Sequence, residues 1–244
     1  MSVGARRLVV GLSLEFVPGE FVAILGRNGT GKTLTLHTLL GLRKPQAGAV
    51  YLDGAAMEGL SRKAVALRLG LLAQDVEESF VTTALEAVLV GRHPHLKLWQ
   101  WETAEDERIA LEALMAVDLE GFAGRRTDTL SGGELRRVAM AALLAQAPSM
   151  FLLDEPSNHL DPAHQLGILG LFSELCTAGR TVIATLHDPT VAARFADRVV
   201  LLHGDGRWAA GAARELLTAE RLSELYLSPM LELEQGGRRI FVSA

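Results

Sequence analysis

Cysteine is almost absent from this chain, which has one thiol, Cys176, among 244 residues. A single cysteine excludes an intramolecular disulfide and favours a reducing, cytoplasmic compartment. We expect Cys176 to be a small buried hydrophobic side chain on a helix rather than a reactive group.

Long apolar runs and a secretory leader are also lacking. The stretch after Arg6 and Arg7 is only Leu8-Val9-Val10 before Gly11 interrupts it, which is too short for a signal peptide. No run approaches the roughly 20 apolar residues that span a bilayer. If the protein acts at a membrane, we therefore expect it to act through a partner.

The chain has no excess of basic residues, with 24 Lys and Arg against 29 Asp and Glu and a net charge of −5. This balance argues against nucleic acid as the main partner. Apolar residues make up 49% of the sequence, so disorder is not expected. The length fits one large domain, residues 1–244, with a sizeable core.

Apolar runs predict four buried strands, at residues 21–25, 49–52, 150–153 and 181–186. Nearly continuous apolar runs are typical of parallel strands that are covered on both faces. Residues 198–202 and 207–210, joined by Gly204-Asp205-Gly206, predict a hairpin. Helical spacing predicts helices at residues 105–117 and 134–147. We expect residues 82–147, approximately, to form a helical subdomain inserted into an α/β core.

Residues 26–33 match the phosphate-loop pattern G-x-x-x-x-G-K-S/T between a predicted strand and a predicted helix. The loop consists of Gly26, Arg27, Asn28, Gly29, Thr30, Gly31, Lys32 and Thr33. Its glycines let main-chain N–H groups turn inward around a phosphate, and the helix N-terminus adds its dipole. Lys32 is expected to reach the β- and γ-phosphates, and Thr33 to offer its hydroxyl to Mg²⁺.

The apolar run 150–153 ends in two carboxylates, Asp154 and Glu155. A phosphate loop paired with such a strand end is the usual arrangement of nucleotide hydrolases, in which one carboxylate holds Mg²⁺ directly or through water. We assign that role to Asp154, and the role of general base toward the attacking water to Glu155.

Leu130-Ser131-Gly132-Gly133-Glu134, at the start of a predicted helix, resembles the signature motif of the ABC ATPases. A plain helix cap explains Ser131 and Glu134 but not the pair of glycines. Other elements of that family follow in the expected order. Gln74 resembles the Q-loop glutamine, the segment Ser157-Asn158-His159-Leu160-Asp161 resembles the D-loop, and His187 resembles the switch histidine.

The resemblance implies an α/β fold, a P-loop NTPase core with a mostly parallel sheet, an antiparallel β subdomain and an inserted helical subdomain. It implies ATP and Mg²⁺ as cofactors and two chains that face each other head to tail. ATP then lies between the phosphate loop of one chain and the signature motif of the other. The residues that the resemblance adds to the nucleotide site are Ser131, Gly132, Gly133, Glu134 and Asp161, of which Ser131 and Gly133 are expected to serve the partner's ATP.

The family also implies roles for two further residues. Gln74 is expected to sense Mg²⁺ and the attacking water, and to link the site to a transmembrane partner. His187 is expected to contact the γ-phosphate and to position the water. Hydrolysis would open the pair of domains and move attached membrane subunits.

Gly91-Arg92-His93-Pro94-His95 resembles a segment of the importers of iron-siderophores, haem and cobalamin. It implies an ATPase subunit on the cytoplasmic face of the inner membrane, with permease subunits as direct partners and a substrate-binding protein as an indirect one. Metal or haem binding by the two histidines is not expected, because no further ligands lie nearby. The segment is interpreted instead as a surface that docks a coupling helix of the permease. Trp99 and Trp101 are expected to pack either at this surface or inside the helical subdomain.

Three other functions are weighed against this one. A soluble ABC ATPase of chromosomes or ribosomes usually has a coiled-coil insertion or two nucleotide-binding domains, and the sequence shows neither. An ABC subunit for another cargo is the second. An unrelated P-loop kinase or GTPase is the third, and the motif at residues 130–134 and Gln74 have no role in such a protein.

One feature departs from the family. Many ABC domains have an aromatic residue near the start of the first strand that stacks on adenine, and the corresponding position here is about Val3. No aromatic residue occurs before Phe16. Either ATP binding is weaker or less selective for the base, or a few natural N-terminal residues are missing.

Overall fold

The computed structural model describes residues 1–3, 6–74, 81–158 and 160–244. Its strands are β1 (Ser2–Val3), β2 (Arg6–Arg7), β3 (Phe21–Leu25), β4 (Tyr51–Leu52), β5 (Ala55–Ala56), β6 (Leu69–Leu72), β7 (Met150–Asp154), β8 (Thr181–Leu186), β9 (Arg198–Leu202), β10 (Trp208–Ala212), β11 (Met230–Gln235) and β12 (Arg238–Ser243). Its α-helices are α1 (Lys32–Leu39), α2 (Arg62–Ala66), α3 (Ala84–Leu89), α4 (Ala104–Ala116), α5 (Gly132–Gln146), α6 (Pro162–Thr177), α7 (Pro189–Phe195), α8 (Ala213–Leu216) and α9 (Ala219–Tyr226).

The central sheet has the strand order β10-β9-β3-β8-β7-β6. The strands β9, β3, β8, β7 and β6 run parallel, and β10 pairs with β9 in the antiparallel sense. The apolar runs of β3 and β8 are buried along their full length, because helices cover both faces of the sheet. The predicted α/β fold with a mostly parallel sheet is confirmed.

Two clusters of buried side chains lie on opposite faces of this sheet. On one face, Val22 and Ile24 of β3 pack with Leu36 of α1. On the other, the alternate residues of β3 join a larger cluster with side chains of α5, α6 and α7. Cys176 lies in this larger cluster, as predicted, and burial raises the pKa of its thiol to about 11, so the thiol stays protonated and unreactive.

The prediction of a buried strand at residues 49–52 is wrong. Only Tyr51 and Leu52 are extended, and they pair with β5 in a small hairpin outside the central sheet, with the Tyr51 side chain 67% exposed. The turn is made by Asp53 (φ 50°) and Gly54 (φ 78°), a dipeptide that favours this conformation. The edge strand of the central sheet next to β7 is β6.

Residues 82–147, all of which are described, form α3, α4, α5 and short 3₁₀ turns at Val90–His95 and Thr127–Thr129, and no strand. Helix α5 begins two residues before the predicted start, because Ser131 caps it. It ends where Ala147 takes a left-handed conformation before Pro148. Among the described helices, none is both long and apolar enough to cross a membrane.

Parallel strands bring their carboxyl ends to one edge of the sheet. Strand β3 leads there into the phosphate loop, β6 toward Gln74, β7 ends at Asp154, and β8 leads into His187. Four motifs that are far apart in the sequence therefore lie side by side at this edge.

Candidate nucleotide site

The phosphate loop wraps the start of α1. Gly31 has a φ of 103° and caps the helix, a conformation that side chains rarely adopt. At Gly26 a Cβ atom would lie 2.6 Å from both the Leu202 carbonyl oxygen and the Thr30 Oγ1 atom, so only glycine fits between the loop and β9. The glycines thus shape a loop whose main-chain N–H groups can face an anion.

Lys32 is buried at the centre of this loop. Its Nζ atom donates hydrogen bonds to the carbonyl oxygens of Gly26 (2.9 Å) and Arg27 (3.4 Å). Desolvation lowers the pKa of Lys32, while the charges of Glu155 and Asp154 oppose that shift. Both carboxylates act on the Lys32 ammonium, as expected if the loop and the acidic strand end belong to one site.

Asp154 is the last residue of β7 and is 1% exposed. Its Oδ1 atom accepts a hydrogen bond of 2.6 Å from the Thr185 hydroxyl on the neighbouring strand. Its Oδ2 atom is buried and has no hydrogen-bond partner among the described residues. A buried carboxylate oxygen left without a donor is costly unless a cation or water meets it, so this donor set suits a hard cation such as Mg²⁺.

Glu155 is held on several sides. Its Oε1 atom lies 2.5 Å from Nε2 of His187, and its Oε2 atom accepts a hydrogen bond of 2.6 Å from the Asn158 amide. Its backbone has a φ of 49°, a conformation that costs a residue with a side chain about 1–3 kcal/mol. The Thr185 hydroxyl accepts a hydrogen bond of 2.8 Å from its main-chain N–H and helps to hold that conformation. This fixed carboxylate beside an imidazole can accept a proton from a water molecule.

Gln74 lies just beyond β6, and its side chain is exposed. The structure connects it to the acidic strand end through Arg136, a buried residue of α5 that sequence reasoning missed. The side chain of Arg136 donates to main-chain carbonyl groups, which carry no sequence pattern, so no motif pointed to it.

Ser131, Gly132 and Glu134 form the start of α5 as a capping box. The Ser131 hydroxyl donates to a Glu134 carboxylate oxygen (2.8 Å) and accepts from the Glu134 main-chain N–H (3.3 Å). A Cβ atom at Gly132 would meet nothing within 4 Å, and its φ is ordinary. Within the described part of the chain, no hydrogen bond or ion pair joins residues 131–134 to the phosphate loop, so the fold does not bring these two candidate segments together.

Asp161 caps α6. It accepts hydrogen bonds from the main-chain N–H groups of Ala163 (3.0 Å) and His164 (3.1 Å), and its carboxylate lies 2.7 Å from the His164 ring. These contacts, with His164 the largest, lower the pKa of Asp161. Of the same predicted segment, His159 lies outside the described residues. So does the side chain of Val3, the position at which an adenine-stacking residue was sought.

The segment Gly91–His95 anchors the helical region to the C-terminal half of α5. Gly91 has no room for a Cβ atom beside the Ala142 carbonyl. The guanidinium of Arg92 is buried, paired with Asp106 at 2.9 Å, and donates to the Ala145 carbonyl at 2.7 Å. The His95 ring contacts the Gln146 carbonyl at 2.8 Å.

The two alternatives for the tryptophans are now distinguished in part. Trp99 and Trp101 are 92% and 85% exposed, so packing inside the helical region is wrong. Trp99 has a φ of 65°, a left-handed conformation that is uncommon for a residue with a bulky side chain. Among the described residues, no group of three or more His, Cys, Asp or Glu side chains is arranged to hold a metal ion.

Comparison with known families gives a match between residues 9–158 and the family model described as ABC transporter. The chain is 39% identical over 227 residues to the ferric enterobactin transport ATP-binding protein FepC of Escherichia coli, covering 93% of this chain and 84% of that protein. It is 38% identical over 232 residues to the hemin import ATP-binding protein HmuV of Rhizobium meliloti, covering 92% and 87%.

Two solved structures of ABC proteins are similar in fold to this chain. A metal-chelate type ABC transporter in an inward-facing conformation superposes with a TM-score of 0.82 at 29% identity, covering 96% of this chain and 89% of that one. A dimeric ATP-binding cassette in a post-hydrolysis state with ADP and Pi superposes with a TM-score of 0.76 at 32% identity, covering 88% and 95%.

Proposed function

The chain belongs to the ABC transporter family and is an ATP-hydrolysing subunit of that family, and we propose that it powers a membrane importer of an iron-siderophore, haem or a similar metal chelate. One observation carries the hydrolytic part: Lys32, the orphaned oxygen of Asp154 and the Glu155–His187 pair meet at one edge of the sheet. The relatives named above, which serve ferric enterobactin and hemin transport, support the choice of cargo.

The residues divide the reaction between them. Lys32 and the loop N–H groups bind the phosphates. Thr33, Asp154 and Gln74 would hold Mg²⁺, which would supply charge neutralisation on the phosphate oxygens. Glu155 accepts the proton of the attacking water through its Oε atoms. His187, which lies against Glu155, orients the water and contacts the γ-phosphate. Asn158 holds the second Glu155 oxygen and so limits rotation of the carboxylate.

A second copy of the chain completes each site. Gly132 has neither a positive φ nor a close neighbour that requires glycine, although glycine is less favourable in a helix than alanine by about 1 kcal/mol. The reason for glycine therefore lies outside the single chain. We infer that Ser131, Gly132, Gly133 and Glu134 approach the ATP bound to the partner's loop, and that Asp161 lies at the same interface. The dimeric cassette with ADP and Pi supports this arrangement.

The permease is proposed to dock a helix into an apolar groove of about 640 Å³ beside β6, between the end of α1, the β4–β5 hairpin and α2. Leu40, Leu42, Met57 and Val65 line it. The groove adjoins the strand that leads to Gln74 and the helical region of residues 82–147, which we treat as a subdomain. A protein docked in this way would lie on the cytoplasmic face of the cell membrane. We expect a substrate-binding protein to be its indirect partner, and we do not expect it to bind nucleic acid.

Purification of the tagged chain with its membranes tests the transport role. We expect a polytopic permease to be recovered with it, and recovery of ribosomes or DNA instead would contradict the proposal. Leu42→Glu places a charge in the groove and should abolish recovery of the permease. Leu231→Glu, at a similarly exposed apolar residue of the C-terminal hairpin, is the matched control and should not (54% and 49% exposed).

A further inference from the structure

Arg136 lies in the second turn of α5 and is 2% exposed. One terminal nitrogen, Nη1, donates to the carbonyl oxygens of Ala73 and Gln74, the latter at 2.9 Å. The other, Nη2, donates to the carbonyl oxygens of Asp154 (2.7 Å) and Glu155 (3.0 Å). A single guanidinium therefore bridges the segment after β6 and the end of β7.

These four carbonyl groups lie where the sheet stops holding the two strands together. The ladder between β6 and β7 ends at the pair Leu72 and Leu153. Beyond that pair β6 has ended and β7 continues for one residue, Asp154, which pairs only with β8. Arg136 supplies the hydrogen bonds that connect the two segments from there on. The planar fork of arginine suits this task, because it presents donors in fixed directions that a lysine ammonium cannot.

Glu155 depends on this support because its main chain has a left-handed φ of 49°. Thr185 holds its N–H group and Arg136 holds its carbonyl group, so both sides of the residue are fixed. The direction of the main chain at this residue determines where its carboxylate lies relative to His187.

We propose that Arg136 is a positioning residue that sets Glu155 and Gln74 for hydrolysis and ties both to the helix that begins at Ser131, an inference that rests on the proposed ATPase function. A shift of the first turns of α5, when the partner's ATP meets Ser131, moves Arg136 and with it the carbonyl groups of Gln74 and Glu155. Arg136 donates to main-chain carbonyl groups of both segments, so we expect it to act on the rate of hydrolysis rather than on ATP affinity.

Arg136→Met tests this, with Arg137→Met as the matched control. Arg137 is the next residue of the same helix and donates to the carbonyl oxygens of Val117 (3.4 Å) and Asp118 (3.3 Å), away from the site. Arg136→Met should lower kcat by roughly 10–100-fold, the range for a displaced catalytic group, with the Kd for ATP within about threefold of that of the unmodified chain. Arg137→Met should change neither.

The same substitution in a Glu155→Gln background separates positioning from general damage. If Arg136 acts through Glu155, adding Arg136→Met should lower the residual hydrolysis by no more than about twofold, because interacting sites are not additive. A fall in kcat as large as in the unmodified background, or a parallel loss of ATP affinity, would overturn the proposal.

If Arg136→Met does not fold, Arg136→Lys replaces it, and its kcat and its Kd for ATP are measured in the same way. A folded variant of either kind that retains kcat within threefold of the unmodified chain also overturns the inference. Failure of the ATPase function itself would be seen differently, as absence of hydrolysis in the unmodified chain.

Discussion

The Nε2 atom of His187 lies 2.5 Å from the Oε1 atom of Glu155, within hydrogen-bonding distance of the carboxylate. A second donor, the Asn158 amide, holds the other carboxylate oxygen at 2.6 Å. The carboxylate is thus fixed in place at the end of β7, beside the buried Asp154.

Glu155→Gln should retain ATP binding and lower hydrolysis by roughly 10²–10⁴-fold, because the amide cannot accept the proton of water. Phosphate release and binding of a fluorescent ATP analogue measure the two quantities. Glu174→Gln, on the exposed side of α6, is the control and should leave both unchanged. Turnover unaffected by Glu155→Gln would refute the assignment of the general base.

If each ATP site combines the phosphate loop of one chain with the signature motif of the other, two inactive variants should restore activity when they are mixed. Lys32→Ala removes the phosphate contact, and Gly132→Asp should block the partner's ATP while α5 stays folded, since the added side chain meets open space and an acidic residue suits a helix start. Each variant alone should hydrolyse poorly. A mixture should regain activity, because in the mixed dimer one site combines an intact loop with an intact signature.

The control mixture pairs Lys32→Ala with a chain that carries both substitutions, which leaves no intact pair. Activity of the first mixture no higher than that of the control would show that the site does not need a second chain. In the unmodified protein, hydrolysis should rise more than linearly with concentration until dimers saturate.

The Arg92–Asp106 pair predicts acid sensitivity of the helical region. Hydrogen bonds from Thr103 first, and from Arg92 second, lower the pKa of Asp106 from 3.8 to about 2. Because the pKa is lower in the folded protein, the ionised carboxylate adds stability that is fully present above about pH 4 and is lost as the pH falls through 2.

Asp106→Asn should therefore lower the free energy of unfolding at pH 7, and the difference from the unmodified chain should shrink as the pH falls from 4 toward 2. Urea unfolding at several pH values measures this. Glu120→Gln, an exposed substitution in the loop after α4, should show no such pattern. A difference that stays constant across this pH range would rule out the role of the carboxylate.

Tyr226 of α9 connects the C-terminal region to the residue that follows β8, His187. Its hydroxyl donates a hydrogen bond of 3.1 Å to the main-chain carbonyl of His187, and burial raises its pKa, so the proton stays on the donor at physiological pH. Tyr226→Phe should lower kcat about fivefold, the equivalent of one hydrogen bond, with little change in ATP affinity. Tyr51→Phe, at the other tyrosine of the chain, is the control. Equal effects of the two substitutions would contradict the link.

Much of the site could be located from sequence because local patterns carried it. The phosphate loop, Asp154 and His187 each follow a run of apolar residues, and parallel strands place such ends at one edge. The wrong prediction of a buried strand at residues 49–52 could also have been avoided from local sequence, because the dipeptide Asp53-Gly54 that follows favours a tight hairpin turn.

Arg136 was beyond reach for a different reason. It contacts Gln74 and Glu155 across 62 and 19 residues of sequence, and it does so through carbonyl groups that every residue has. The anchoring role of Arg92 was likewise hidden, because its partners Asp106 and Ala145 belong to two other helices.

Helix α5 contains 15 residues and is about 22 Å long. Near its start are Ser131 and Arg136, and at its far end the Gln146 amide donates to the carbonyl oxygens of Ala66 (2.6 Å) and Leu69 (3.0 Å), beside the apolar groove. A helix that is hydrogen-bonded at both ends is expected to move as one unit. If the nucleotide interface closes as proposed, we expect the movement of α5 to change the width of the groove. A helix bound in the groove should then affect closure by the same coupling free energy.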